Sequence, residues 1–173
     1  HLGKFAIVPV ARINNLDELE KECLERNQQF TELSSGNTNP TELVALLITQ
    51  GKTFTDGIQN VYNKVKGSCS MLILTDHGII AARDFLGRTP IVVGKNKFGY
   101  AVAFDSHRFA NLDYEIERFI GPGEVVRVSS FGCQQMLAPN EKMQICSFLW
   151  TYYGYPSAYY ENINVETSRY IGG

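Results

Sequence analysis

The hydrophobic pattern of this chain changes its period near residue 70, and that change constrains the fold more than any other feature. Before it, apolar residues recur at helical spacing, as in Leu43, Leu46 and Leu47. After it, short apolar runs are joined by turn residues, and Asp-His-Gly at 76–78 is typical of a β-hairpin. Helices followed by hairpins predict an α+β domain in which helices pack on largely antiparallel sheet.

Helix-capping residues predict where the helices of the first half begin. The predicted elements are a buried strand over 4–13 and helices that begin after Asn15, Asn39 and Thr53. Asn15 is followed three residues later by Glu18, which is a capping-box pattern. Asn39 suits an N-cap because Pro40 comes next, at the first helical position.

The second half is predicted to consist of hairpins and an aromatic tail. The expected strand pairs are 71–75 with 79–83, 91–94 with 100–104, and 125–129 with 133–137. A short helix is expected within residues 105–118, and the aromatic residues after 147 are assigned to a core or interdomain seam.

Composition excludes several classes of protein. The formal net charge of −2 over 173 residues gives no electrostatic reason to expect nucleic acid or an anionic membrane as a partner. No apolar run approaches the ~20 residues of a membrane helix, and the start lacks a signal-peptide core. The four cysteines lack zinc spacing. We expect a single cytoplasmic domain over 1–173. Because the chain does not begin with Met, we expect either a longer parent protein or a trimmed chain.

Six sequence blocks, in order, resemble the glutaminase domain of amidophosphoribosyltransferase, a class II glutamine amidotransferase of purine biosynthesis. They are 4–19, Asn-Pro-Thr-Glu at 39–42, Arg-Asp-Phe-Leu-Gly-Arg-Thr-Pro at 83–90, Ala-Phe-Asp-Ser at 103–106, Pro-Gly-Glu at 122–124 and Cys-Ser-Phe at 146–148. The resemblance implies an Ntn-hydrolase αββα fold, with two antiparallel sheets between helical layers and the N-terminal part missing. In that family an N-terminal Cys attacks the glutamine amide, a thioester forms, and ammonia is released.

The resemblance also implies that the glutaminase site is degraded. Residues 9–11 read Pro-Val-Ala where the family has His-Asn-Gly, so Val10 and Ala11 occupy the oxyanion positions. Pro40 occupies the position of the Asp that binds the substrate's α-amino group. Valine has no side-chain donor and proline has no carboxylate, and residue 1 is His. No catalytic residue is therefore assigned, and only Val10, Ala11 and Pro40 mark the substituted substrate positions.

We interpret the chain as a glutaminase-like domain with a structural or regulatory role. The resemblance implies a phosphoribosyltransferase-like domain as partner in the same parent chain, and a homo-oligomer. Two alternatives stay open. The parent could be an active amidotransferase whose nucleophile lies in a missing N-terminus, or the chain could be a binding module that kept the pocket without the chemistry.

Several polar clusters have more than one interpretation. Cys146 is either a core or seam residue or, by the resemblance, a [4Fe–4S] ligand in a longer parent, because one Cys cannot hold a cluster. The pair at 83–84 and Arg88 could form an ion-pair cluster or support the loop structurally. Residues 105–108 could line a pocket or cap a loop. We predict no metal site or cofactor within this chain.

Overall fold

The fold is built on a five-stranded antiparallel sheet in this computed structural model, which describes residues 1–31, 33–34 and 37–172. The helices are α1 (Leu16–Glu25), α2 (Pro40–Thr49), α3 (Phe54–Lys64) and α4 (Val165–Gly172). The strands are β1 (Ala6–Ile13), β2 (Leu33–Ser34), β3 (Asn37–Thr38), β4 (Gly67–Thr75), β5 (Gly78–Ala82), β6 (Val92–Asn96), β7 (Gly99–Ala103), β8 (Glu115–Phe119), β9 (Val125–Ser129), β10 (Gly132–Leu137), β11 (Tyr159–Tyr160) and β12 (Ile163–Asn164). A 3₁₀ turn covers Ala110–Leu112 and a π-helical turn covers Leu149–Tyr153.

The large sheet has a different layer on each face. Its strand order is β1-β4-β5-β9-β10, and the smaller sheet has the order β7-β6-β8. One face packs against α1, α2 and α3, with Leu47, Ile58 and Met71 fully buried between them. The other face packs against the smaller sheet, through Ala81 and Val93 among others. The predicted α+β fold with antiparallel sheets is confirmed.

The caps of α2 and α3 explain where these helices begin. Asn39 accepts a hydrogen bond from Thr41 N–H at 2.9 Å, and Pro40 follows it as predicted. Thr53 and Asp56 form a reciprocal capping box at the start of α3. Each such cap stabilises its helix by about 1 kcal/mol.

Two predictions about local structure are only partly correct. Helix α1 begins after Asn15 as predicted, but the Asn15 side chain does not cap it, because it binds Lys64 O and Lys66 N and so ties α1 to the α3–β4 connection. The short helix expected within 105–118 is present as the 3₁₀ turn, but the segment also contains the start of β8, which pairs with β6. The alternation of polar and apolar residues in β8 is the signal that the helical assignment overlooked.

The last part of the chain folds over the domain as a small unit. The β11–β12 hairpin, the π-helical turn and α4 surround a minor core of Ala158, Tyr160 and Val165. Arg169 fastens α4 by donating to the carbonyl oxygens of Trp150 and Gly154. Within the part of the chain described here, the helices are too short or too polar to cross a membrane.

Candidate functional site

Val10 and Ala11 lie on β1, the strand at one edge of the large sheet. Val10 pairs with Ser70 of β4, and Val8, on the same face, pairs with Leu72. Leu72 packs toward the smaller sheet, so the side chain of Val10 is directed to that side as well. Val10 is nevertheless 41 % exposed, because the smaller sheet does not cover this end of the large sheet.

The backbone of Ala11 points away from β4. Asn14 donates its N–H to Lys66 O, which makes residues 14 and 66 a hydrogen-bonded pair that continues the β1–β4 register. Hydrogen-bonded and non-hydrogen-bonded pairs alternate along an antiparallel ladder. The N–H of Ala11 is therefore directed to the open edge, whereas Pro9, also directed outward, has no N–H.

At the two positions to which the resemblance assigns the oxyanion donors, the chain therefore has a backbone donor at Ala11 and no side-chain donor at Val10. The backbone N–H of Ala11 is as good a donor as that of glycine, because the donor belongs to the main chain. The side chain of Val10 has no polar atom and cannot replace an Asn amide. Removal of one such donor typically lowers turnover by roughly 10²–10³.

Pro40 lies at the first position of α2, the helix that packs against β1. The structure therefore brings the helix of Pro40 and the strand of Val10 and Ala11 together. Pro40 has neither a carboxylate nor a backbone N–H, so it offers an ammonium group only its carbonyl oxygen, which belongs to the helix.

The cysteine nearest to Ala11 in the sheet cannot act as a nucleophile. Cys69 stands directly opposite Ala11 in the β1–β4 register, and it is 3 % exposed. Burial, with a further contribution from the negative charge of Asp84, raises the pKa of the Cys69 thiol to about 12. The thiolate is the reactive form of cysteine, so this thiol stays inert at neutral pH.

Cys146 is an exposed free thiol at the start of the tail. A [4Fe–4S] cluster needs four thiolate ligands, and the described residues contain no group of three or more His, Cys, Asp or Glu that could hold a metal. These residues do not supply a cluster's ligand set, and the cluster stays a prediction about a longer parent.

Arg83 forms an ion pair that the sequence did not predict. Its guanidinium group is fully buried and donates to Glu161, Ile120 O and Gly87 O, each at 2.6 Å. Arg83 therefore joins the tail to the loop after β5, and no ion pair links Arg83 or Arg88 to Asp84 in the described part of the chain. Of the two interpretations left open for 83–84 and Arg88, these contacts favour a structural role, because the side chain of Arg83 is directed toward the tail.

Glu161 and its neighbour form the tight turn of the β11–β12 hairpin. Glu161 and Asn162 both have positive φ, 51° and 63°, as a two-residue hairpin turn of type I′ requires. Asn tolerates this conformation but Glu rarely adopts it. The ion pair of Glu161 with Arg83 offsets this backbone strain. In the sequence, the one signal of the turn is a Glu followed by Asn within an aromatic stretch.

Residues 105–107 contact the tail. Asp105 accepts a hydrogen bond from the hydroxyl of Tyr160, and Ser106 exchanges hydrogen bonds with the backbone of Tyr159. The ring of His107 lies 2.6 Å from Ser157 Oγ. Residues 105–108 were predicted either to line a pocket or to cap a loop. These contacts favour capping, and the capped segment is the tail.

Comparisons with known proteins agree with this architecture. A family model described as "Glutamine amidotransferase domain" matches residues 1–112. The amidophosphoribosyltransferase of Bacillus subtilis is 29 % identical over 170 residues, which are 96 % of this chain and 35 % of that protein. Amidophosphoribosyltransferase 2 of Arabidopsis thaliana is 31 % identical over 175 residues, which are 98 % of this chain and 31 % of that protein.

Solved structures show the same similarity. Glutamine phosphoribosylpyrophosphate amidotransferase from B. subtilis, complexed with ADP and GMP, superposes with a TM-score of 0.84 at 26 % identity. The match covers 95 % of this chain and 36 % of that one. The chain thus spans about a third of the length of the relatives it matches.

Proposed function

Because this chain belongs to the glutamine amidotransferase domain family, we propose that it is an amidotransferase-type domain that no longer hydrolyses glutamine. Its relatives are amidophosphoribosyltransferases, enzymes of purine biosynthesis. In this proposal the domain keeps a structural or regulatory role in a longer protein. The observation that carries the proposal is that Val10 and Pro40 stand where the resemblance implies an Asn and an Asp, in a chain that superposes on the family fold.

The described thiols support the same conclusion. Hydrolysis by this family's mechanism needs a thiolate beside the oxyanion donors. Cys69 stands beside Ala11 in the ladder but carries a buried, protonated thiol. Even with a nucleophilic Cys before residue 1, the site would lack the side-chain oxyanion donor, because Val10 occupies that position.

Acylation of an active thiol can be tested with an electrophilic glutamine analogue. The natural gene product that contains this chain is incubated with the analogue, with and without excess glutamine, and its intact mass is measured. We expect that excess glutamine will not reduce the amount of any adduct. Reaction of exposed Cys146 would occur equally with and without glutamine, which separates surface alkylation from active-site labelling. An adduct that glutamine suppresses would contradict the proposal.

A second candidate, a binding module for glutamine or glutamate, is favoured by one observation. The N–H of Ala11 is directed to the open edge and remains available as a donor. Calorimetric titration with glutamine and glutamate tests this candidate directly. A saturable heat of binding, measured for protein that releases no glutamate from glutamine, would support a role as a sensor.

The proposed partner is a phosphoribosyltransferase-like domain of the parent chain, within a homo-oligomer in the cytoplasm. The exposed tail supports such a partner because Tyr152, Tyr153 and Tyr170 present large aromatic side chains to solvent. Tyrosine is enriched at interfaces, and the aromatic residues here lack a surrounding basic stripe. We therefore assign this surface to a protein neighbour and not to nucleic acid.

A further inference from the structure

A small cleft lies where the end of α3 meets the start of β4 and the loop after β5. Its volume is about 190 Å³. Apolar side chains of Val61, Val65 and Leu86 form part of its lining, and Asp84 and Arg88 contribute opposite charges. The positions that the resemblance assigns to the family's glutamine site, Val10, Ala11 and Pro40, are not among the residues that line this cleft.

Asp84 is a buried carboxylate without a cationic partner in the described part of the chain. It is 2 % exposed, and among the residues that the structure describes its two carboxylate oxygens accept the N–H groups of Leu86 and Thr89, both at 3.2 Å. A carboxylate has about four acceptor sites, so roughly half of its capacity is unused. Buried charges are normally paired.

Arg88 presents the complementary charge in the same cleft. It is half-buried, and its Nη1 donates to Gly67 O at 2.6 Å. The described residues supply no carboxylate to it, and it does not pair with Asp84. Two unpaired opposite charges that line one cleft match a ligand that carries both charges itself.

We propose that this cleft binds a small free α-amino acid, whose ammonium group contacts Asp84 and whose carboxylate contacts Arg88. A cavity of about 190 Å³ has room for a free α-amino acid with a small side chain. The apolar wall accommodates the Cα and a small side chain. The charge of Asp84 reaches this space, because it adds to the effect of burial in raising the pKa of Cys69.

This site is independent of the proposed function, because Val10 and Pro40, which carry that proposal, do not line the cleft. Loss or retention of glutamine hydrolysis would leave it unchanged. A failure of the binding experiment below would therefore say nothing about Val10 and Pro40.

Blocked derivatives of alanine test the requirement for both charges. Alanine, N-acetylalanine and alaninamide are titrated into the chain and followed by amide chemical shifts. We expect saturable shifts with alanine at residues 84–89 and not in β1. Each blocked derivative should bind at least ~10-fold more weakly, because it loses one charge-assisted contact. Equal binding of the three compounds, or no saturable shift with glycine, alanine and serine, would overturn the proposal.

Removal of the guanidinium group gives a second test. In Arg88→Gln, alanine should bind at least ~10-fold more weakly and should no longer be preferred over alaninamide. The matched control is Arg108→Gln, since Arg108 is exposed and outside the cleft. If Arg88→Gln does not fold, Arg88→Lys keeps the charge but loses the planar fork, and a reduced preference over alaninamide is expected. An unchanged preference in a folded Arg88→Gln variant would refute the assignment.

Discussion

Ala11 of β1 and Cys69 of β4 stand opposite each other in the ladder at one edge of the large sheet, with the amide of one at the open edge and the thiol of the other buried. Under the proposed loss of glutaminase activity, this pair explains how the frame of an amidotransferase can persist without its chemistry. A donor remains at the edge, but the neighbouring thiol stays protonated because burial raises its pKa to about 12. Proximity in the sheet therefore does not provide a nucleophile.

Thiol reactivity should separate the cysteines by burial. Under native conditions a maleimide should modify Cys146 rapidly, while Cys23 and Cys69 should stay unmodified because they are buried and burial raises their pKa. Peptide mass spectrometry after brief labelling measures this order. All four should react in denaturant. Native labelling of Cys69 at the rate of Cys146 would contradict the assigned packing.

The Arg83–Glu161 ion pair should contribute strongly to stability. Glu161→Gln leaves a fully buried guanidinium group without its counter-charge, and we expect unfolding to become easier by about 2–4 kcal/mol. Urea denaturation measures the difference. The matched control is Glu18→Gln, whose partner Lys66 is exposed, and its effect should be much smaller because solvent screens an exposed ion pair. Similar values for the two variants would show that burial of Arg83 is not important.

Gly87 should tolerate no side chain. It has φ +69°, and an added Cβ would lie 3.0 Å from Pro122 Cβ and 3.2 Å from Arg83 Nε. Gly87→Ala should therefore destabilise the fold by about 1–3 kcal/mol. Gly3→Ala is the control because Gly3 has a similar φ of +77° with nothing within 4 Å. Thermal unfolding should show a clearly smaller loss for Gly3→Ala.

Glu124 should make stability depend on acid pH. It is fully buried; burial raises its pKa, but hydrogen bonds from Gln135, Gly121 N–H and Arg118 outweigh this effect and lower it below 4.5. A lowered pKa in the folded state contributes stability above the unfolded-state pKa, and this contribution is lost as the pH falls through the folded-state pKa. Urea unfolding between pH 7 and pH 3 should show the loss. Glu124→Gln should be less stable at pH 7 and should lose less stability on acidification.

The tail aromatics should matter for association more than for folding. Tyr170 is 89 % exposed, so Tyr170→Ser should change the free energy of unfolding by no more than about 0.5 kcal/mol. In the natural parent protein, the same change should weaken the contact with the neighbouring domain, which limited proteolysis can detect as faster cleavage between them. Tyr160→Ser is the contrasting variant. Because Tyr160 is buried, its replacement should destabilise the tail itself.

Local patterns in the sequence were sufficient to predict most elements. The caps at Asn39 and Thr53 and the turn at 76–78 depend on residues close in sequence, and the structure contains all three. Strand β8 was missed because its alternation is short. Asn15 was misassigned because its partners, Lys64 and Lys66, lie far along the chain.

The candidate site was predictable only in part. Sequence comparison with the family located Val10, Ala11 and Pro40, but not the orientation of the Ala11 amide, which depends on the register with β4. The pairing of Arg83 with Glu161 spans 78 residues and involves a Glu in a left-handed turn. Contacts of this kind arise only when the tail folds over the domain, and no local pattern encodes them.

The most direct test of a lost glutaminase site is glutamate release from glutamine by the natural gene product that contains this chain. The account predicts no release above background from folded protein, because Val10 cannot donate to an oxyanion and Pro40 cannot bind an ammonium group. Turnover abolished by changing a Cys upstream of this chain would contradict it. That result would mean that the missing donor and carboxylate are supplied from outside residues 1–173.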